Sequence, residues 1–367
     1  MKNFNFYLPT KIIYGCGRIN DLKEITAGKT ERIMVVSERN LAEKTDTVNN
    51  VMNILKDKSV SLFLDVEENP TFETIEKGKI IARENDIQLI IGLGGGSPMD
   101  AAKGIAVAAS NTGTLRTLIN MDNLPNNPIP IICIPTTSGT GSEVTPYAVF
   151  TDRITDNKCG YGNPKIFPVA SIIDPELTYS MPENVTINTG LDVLSHSIES
   201  YLSTDAFAMN DLIAMEAVKI VLKNLKNASH KDKSAMNAMA YASMLGGIAI
   251  THGGTILPHI MGYPLTVFHN VPHGRACIIM LPAVLAFLRA NSFIKNKIEI
   301  LDKLFEEING IEGYLHTHGV SCKLSSYSME KSEIDEYVKK VIVKGDVKIT
   351  PAVVTEKDIR DIYLSAM

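Results

Sequence analysis

Residues 88–103 read QLIIGLGGGSPMDAAK: a short apolar run that breaks into three consecutive glycines and then into a helix-forming stretch. Gln88 to Leu93 has the length and composition of a strand buried on both faces, as in a parallel sheet. Gly94, Gly95 and Gly96 let the backbone approach an anion closely. Pro98 suits the first turn of the following helix, where its missing N–H costs nothing. The amides at that helix start would face phosphates. The pattern is not the GxGxxG dinucleotide fingerprint, and an ordinary glycine-rich strand-to-helix turn is the competing reading.

Working outward, Arg32 to Ser37, Ser59 to Leu64 and Ile129 to Ile134 are further compact apolar runs of strand character. Helical stretches run from about Leu41 to Lys56 and from Thr71 to Asn85, the second entered through Asn69-Pro70. This alternation predicts a parallel sheet with helices on both faces. Phe4–Tyr7 and Lys11–Tyr14 read as a short extended pair added at its edge. After Asp174-Pro175 the pattern is helical almost throughout, with the Ala/Met-rich Ser234–Ile250 as an interior helix. We therefore expect an α/β dinucleotide-binding domain with a parallel sheet over residues 1–178. An all-helical metal- and substrate-binding domain follows over residues 179–367, with a cleft between the two as the usual place for a small-molecule site.

Composition narrows the class. Hydrophobic residues make up 45% of the 367 and charged residues 21%, enough apolar surface for packed cores. With a net charge of −5 and no basic block, a nucleic-acid partner is not expected. Cys16, Cys133, Cys159, Cys277 and Cys322 are odd in number, irregularly spaced and free of any CxxC, which reads as reduced thiols in a cytoplasmic protein. The N-terminus lacks a signal-peptide core. The longest apolar stretch, Ala276–Leu288, contains Pro282 and falls short of a membrane span, so no membrane association is expected.

Two segments carry metal-ligand chemistry. Asp192 and His196 are four residues apart, on one face of a predicted helix. His259 and His273 follow in a second segment. One carboxylate and three imidazoles suit Fe(II) or Zn(II), with coordination positions left for a substrate oxygen. A capped or solvated helix pair is the plainer reading of Asp192 and His196 alone. A second loop, Pro135–Thr145, is rich in hydroxyls and glycines and follows the fourth predicted strand, where it can hydrogen-bond a ribose or a nicotinamide amide. An ordinary polar loop is the alternative.

The motifs Gly94–Lys103, Pro135–Thr145, Gly190–Ser200 and His259 through Arg275, in this order, resemble the iron-containing (group III) alcohol dehydrogenases, and the resemblance covers nearly the whole chain. It implies Asp192, His196, His259 and His273 as metal ligands. It also implies a pyrophosphate loop of Gly95, Gly96, Ser97 and Asp100, with Thr136, Thr137, Thr140, Ser142 and Lys158 further along the cofactor, and Glu38 and Asn69 contributing to the same site. The implied activity is hydride transfer between NAD(P)(H) and a small alcohol or aldehyde by a homodimer. Many members carry a histidine where this chain has Tyr263. With an ordinary pKa near 10, a tyrosine is a poorer proton shuttle at neutral pH, leaving His269 or a water and ribose route. His252 is expected to be structural, and His230, His316 and His318 to lie on the surface. Glu38, at the end of the Arg32–Ser37 strand, would bond ribose hydroxyls and repel a 2′-phosphate, which favours NAD(H); the neighbouring Arg39 would instead accept that phosphate. Glycerol dehydrogenase or dehydroquinate-synthase-like activity on the same scaffold, or a non-enzymatic metal-binding role, are the alternatives.

Overall fold

A computed structural model of the chain describes residues 2–28, 30–121, 123–154 and 157–367. It divides into two compact units, Tyr7–Met181 and Met1–Phe6 with Pro182–Met367.

The first unit holds strands β1 (Lys11–Tyr14), β2 (Arg32–Val36), β3 (Ser59–Phe63), β4 (Leu89–Gly94), β5 (Ile131–Pro135), β6 (Tyr147–Asp152), β7 (Asn157–Gly162) and β8 (Ala170–Ile173). Six of them form one sheet in the order β1-β8-β5-β4-β2-β3, every pairing parallel, while β6 and β7 make a separate antiparallel hairpin. Helices α1 (Leu22–Thr26), α2 (Arg39–Lys44), α3 (Thr47–Ile54), α4 (Phe72–Glu84), α5 (Gly96–Ser110) and α6 (Leu115–Leu118) connect them.

The strand residues alternate between two cores, as the period of two requires. Met34, Val36, Ile90 and Ile131 pack with Phe72, Ile75, Met99 and Ile105 on one face. Ile33, Val35, Ile91 and Ile132 pack with Leu22, Val48, Val51 and Leu55 on the other. Each such side chain contributes about 1.5–3 kcal/mol of burial energy, so the central strands are fixed from both sides. The chain leaves β2 toward β3 and returns to β4 on the opposite flank, so the loops after β2 and β4 part at a topological switch point, the usual ligand position in such sheets.

Three expectations need correcting here. The Leu41–Lys56 helix is two helices, α2 and α3, because Thr45 is extended (φ −140°) and its hydroxyl accepts a bond from the Thr47 amide at 3.3 Å. Phe4–Tyr7 is not a strand, and the aromatic rings of Phe4 and Phe6 stack on Phe207 and His252 in the helical unit, each at 4.3 Å. The Ala276–Leu288 stretch is the middle of a 19-residue helix that is long and apolar enough to cross a membrane by length and composition, yet most of it is buried as a core helix.

That helix, α11 (His273–Asn291), belongs to the second unit with α7 (Glu183–Leu202), α8 (Ala208–Ser229), α9 (Lys233–Gly253), α10 (Leu257–His269) and several shorter helices. From Gly190 to Leu202 every residue of α7 is buried, because α8, α9 and α11 all pack against it. The start of α11 comes so close to α7 that a Cβ on Gly274 would lie 2.3 Å from the Asn188 carbonyl oxygen and 2.5 Å from the Asp192 Cβ. Glycine at 274 is therefore what allows His273 to be delivered beside Asp192.

Candidate metal centre and nucleotide loop

Four ligand atoms, one each from Asp192 on α7, His259 near the start of α10, and His273 and Cys277 one turn apart on α11, lie within 4.8 Å of one another. The Nε2 atoms of His259 and His273 are 3.1 Å apart. His196 lies beside this group, its Nε2 3.7 Å from Asp192 Oδ1 and its ring stacked on His259 at 5.0 Å. All four expected ligands are thus neighbours, and Cys277 is a fifth that the sequence reading did not single out.

A divalent cation fits this donor set. Nitrogen ligands at 2.0–2.1 Å from a tetrahedral metal lie about 3.3 Å from each other, close to the observed imidazole separation. Asp192 is buried, and among the described residues its Oδ1 has no hydrogen-bond partner. A buried carboxylate oxygen left in that state is costly unless a cation faces it.

Glu199, fully buried one turn beyond His196, holds the arrangement in place. Its Oε1 lies 3.3 Å from His259 Nδ1 and accepts a bond from Ser195 Oγ at 2.5 Å. Its Oε2 accepts the amides of Ile256 at 2.8 Å and His259 at 3.2 Å. A carboxylate on Nδ1 leaves Nε2 as the nitrogen that faces the cluster, a common support for metal-binding histidines. Burial alone would lower the His259 pKa, but Cys277 and Glu199 outweigh it and hold the imidazole well above its ordinary value. Because burial pushes the Cys277 thiol up to about 11, Glu199 is the partner that acts near neutrality. The carboxylate at residue 199 reads as an ordinary helix charge; only the packing of α10 on α7 reveals its role.

Tyr263 flanks the cluster, its ring 5.8 Å from those of both His259 and His273, and burial raises its phenol above the ordinary tyrosine range. His269 is not brought to the cluster. It sits about 15 Å further along α10 from His259, where Nε2 lies 3.0 Å from the Tyr337 hydroxyl and 3.3 Å from Glu333 Oε1. The stacking of His252 on Phe6 fits its expected structural place. His318, expected on the surface, is buried, with Nδ1 2.9 Å from the Tyr314 carbonyl oxygen.

In the α/β unit, Gly94 at φ 144° turns the chain out of β4 into α5, whose first residues are Gly96 and Ser97. The two expected cofactor loops meet: Thr136 N donates to the Gly94 carbonyl at 2.9 Å, Thr137 lies against Gly95, and Thr140 against Gly96. Asn69, with φ 56°, donates its amide to Ser97 Oγ at 3.1 Å, adding a third loop. Glu38 follows β2, and burial, reinforced by Glu68, raises its carboxyl. The neighbouring Arg39 is paired with Asp65 at 2.5 Å. Lys158 is buried on β7 opposite Thr151.

Asp100 and Ser142 are turned toward each other rather than outward. Ser142 Oγ donates to Asp100 Oδ1 at 2.7 Å, and the Val149 amide donates to Oδ2 at 2.9 Å. The fully buried Lys103 completes this knot. Its Nζ donates to Ser142 O at 2.7 Å, Ser142 Oγ at 2.8 Å, Thr145 O at 3.0 Å and Tyr147 O at 2.6 Å. These two expected site residues therefore brace the loop that carries the others.

The chain is similar to known proteins over nearly its whole length. Residues 9–175 match the family model described as iron-containing alcohol dehydrogenase, and residues 186–367 match its C-terminal counterpart. An NADPH-dependent butanol dehydrogenase of Clostridium saccharobutylicum is 33% identical over 83% of this chain and 78% of its own. An NAD-dependent methanol dehydrogenase of Bacillus methanolicus is 28% identical over 99% of this chain and 100% of its own. The crystal structure of an iron-containing alcohol dehydrogenase from Thermotoga maritima superposes with a TM-score of 0.92 at 34% identity, covering 99% of both chains. The chain belongs to the iron-containing alcohol dehydrogenase family and is an alcohol dehydrogenase that uses a metal and a nicotinamide cofactor.

Proposed function

We propose that the enzyme interconverts small alcohols and aldehydes, works as a homodimer in the cytoplasm, binds Fe(II) or Zn(II) through Asp192, His196, His259 and His273, and prefers NAD(H) to NADP(H). The observation that carries the metal reading is the buried Asp192 oxygen without a hydrogen bond, amid imidazole nitrogens 3.1 Å apart. When bound, the metal supplies Lewis acidity to a substrate oxygen, and the cofactor supplies or accepts hydride.

The chain's own residues then do the orienting. Glu199 fixes the ring of His259, and Tyr263 bounds one side of the donor cluster, its hydroxyl remaining protonated across the neutral range. His269, engaged with Tyr337 and Glu333, is not a proton relay in this reading. The amides at the start of α5, with Gly95, Gly96, Ser97 and Asn69, suit a pyrophosphate. Thr136, Thr137, Thr140 and Lys158 line the cofactor further along, while Asp100 and Ser142 support it from behind. Glu38 favours free ribose hydroxyls, and an Arg39 already paired with Asp65 is poorly placed to take a 2′-phosphate. Five free cysteines suit a reducing compartment.

The test is oxidation of NADH and of NADPH with a panel of small aldehydes, using chelated protein before and after anaerobic addition of Fe(II) or Zn(II). We expect turnover to return with metal and to be faster with NADH. Turnover that ignores chelation would remove the metal from the reading, and no turnover with any aldehyde would return it to the dehydroquinate-synthase-like or non-enzymatic alternatives.

A further inference from the structure

Cys277 is the group in the metal cluster that neither the ligand pattern nor the orienting network uses. It follows His273 by one helical turn, so its side chain shares that residue's face of α11. Its Sγ lies 3.7 Å from His273 Nδ1 and 3.9 Å from Nε2, inside the group that includes a carboxylate oxygen of Asp192. It also lies 3.9 Å from the His259 carbonyl oxygen, a weak acceptor contact, and against the His259 imidazole. A sulfur at 2.3 Å and a nitrogen at 2.0–2.1 Å on one tetrahedral metal are about 3.6 Å apart. The 3.9 Å from Sγ to His273 Nε2, the nitrogen that faces His259, is a few tenths of an ångström longer than that, so a small shift of the thiol brings it to a shared metal.

We propose that Cys277 is a sulfur donor to the same metal held by Asp192, His196, His259 and His273. The inference rests on the metal reading above and adds a soft ligand to it. On coordination the S–H bond breaks, its proton leaves to solvent, and a sulfur–metal bond forms without any change of oxidation state. A thiolate moves the site's preference from iron toward zinc and takes up one position that would otherwise stay open.

The experiment is anaerobic titration of the chelated full chain with Co(II), which stands in for the native ion and reports its ligands by absorption. We expect one cobalt per chain and an intense near-ultraviolet sulfur-to-cobalt band. Cys277→Ser should lose that band while keeping the weaker visible bands of a nitrogen- and oxygen-bound cobalt, and Cys133→Ser, a change at a buried cysteine in the other unit, should keep it. With equal zinc and iron supplied, Cys277→Ser should lower the bound zinc-to-iron ratio by about tenfold or more. Cys277→Ala, with a normal circular dichroism spectrum, guards against a folding defect in the serine variant and should show the same loss. Cobalt bound without a sulfur band, or a band that survives in both variants, overturns the assignment of Cys277 and leaves the metal site standing. No cobalt bound at all overturns the metal reading itself.

Discussion

The two units each bury a charged cluster, and they close it in opposite ways. In the α/β unit, the Lys103 ammonium is surrounded by four oxygens at 2.6–3.0 Å, and the carboxylate of Asp100 takes a hydroxyl and an amide. In the helical unit, Asp192 has a buried oxygen without a hydrogen bond, and two imidazole nitrogens face each other. Charged side chains are buried only when something compensates them. Protein atoms supply the compensation around Lys103, so that cluster is a brace. Around Asp192 Oδ1, among the described residues, imidazoles stand close but none donates a hydrogen bond, which suits a site built for a cation.

The comparison breaks most readily at the open cluster. His259→Ala or His273→Ala should lower kcat/KM by about 10³-fold or more, the several kcal/mol that a Lewis acid contributes to the barrier. NADH binding, followed by fluorescence, should persist, because the nucleotide loop belongs to the other unit. A parallel loss of cofactor affinity would show that these histidines serve the fold rather than the reaction.

Breaking the closed cluster should be read in stability instead. Lys103→Met leaves four inward-facing oxygens without their donor and uncovers the Asp100 charge. Removing one partner of such a buried pair costs about 3–5 kcal/mol. Urea unfolding followed by both fluorescence and circular dichroism would measure it, with metal content per folded chain unchanged. A loss below about 1 kcal/mol, the size of an ordinary surface substitution, would mean that water or local rearrangement replaces the ammonium and that the brace is not one.

How far the sequence reveals these clusters depends on whether a residue's role is local. The central strands declare themselves through short apolar runs, and Gly94–Ser97 through composition, because neighbours in sequence determine both. Asp192, His196, His259 and His273 are legible as a motif. Cys277 obeys the same four-residue helical spacing as Asp192 and His196 and carries a readable signal, although a lone cysteine in an apolar helix reads first as core. Glu199 and Lys103 offer no such signal: each becomes an interior charge only through a segment dozens of residues away, α10 in one case and the Ser142–Tyr147 loop in the other. Asp100 and Ser142 show the reverse error, in which a polar loop residue reads as a ligand contact and is used to hold the loop. The β6–β7 hairpin is less legible because the apolar run of β6, Tyr147–Phe150, is short and alternates exposed and buried positions, and β7, Asn157–Gly162, has no such run.

The smallest effect sharpens the comparison by asking which protons the closed cluster holds. Glu143 is buried against Lys103, and burial raises its carboxyl from 4.5 to about 7, the backbone and Lys103 opposing this more weakly. The folded protein then holds this proton more tightly than the unfolded chain does, so Glu143 costs stability progressively as pH rises from 4.5 to about 7 and by a constant amount beyond. Lys103 is shifted down from 10.5 by burial, with Asp100 and Glu143 opposing the shift. Glu143→Gln, which cannot ionise, should therefore gain stability relative to the parent between about pH 5 and about pH 8. Denaturant midpoints of the two proteins at both pH values give the difference, in which groups that do not interact with Glu143 cancel. Parallel midpoints would mean that Glu143 enters the fold already ionised. The cluster around Lys103 would then carry two carboxylates on one ammonium already at about pH 5, and the α/β unit could no longer stand as the closed member of the pair there.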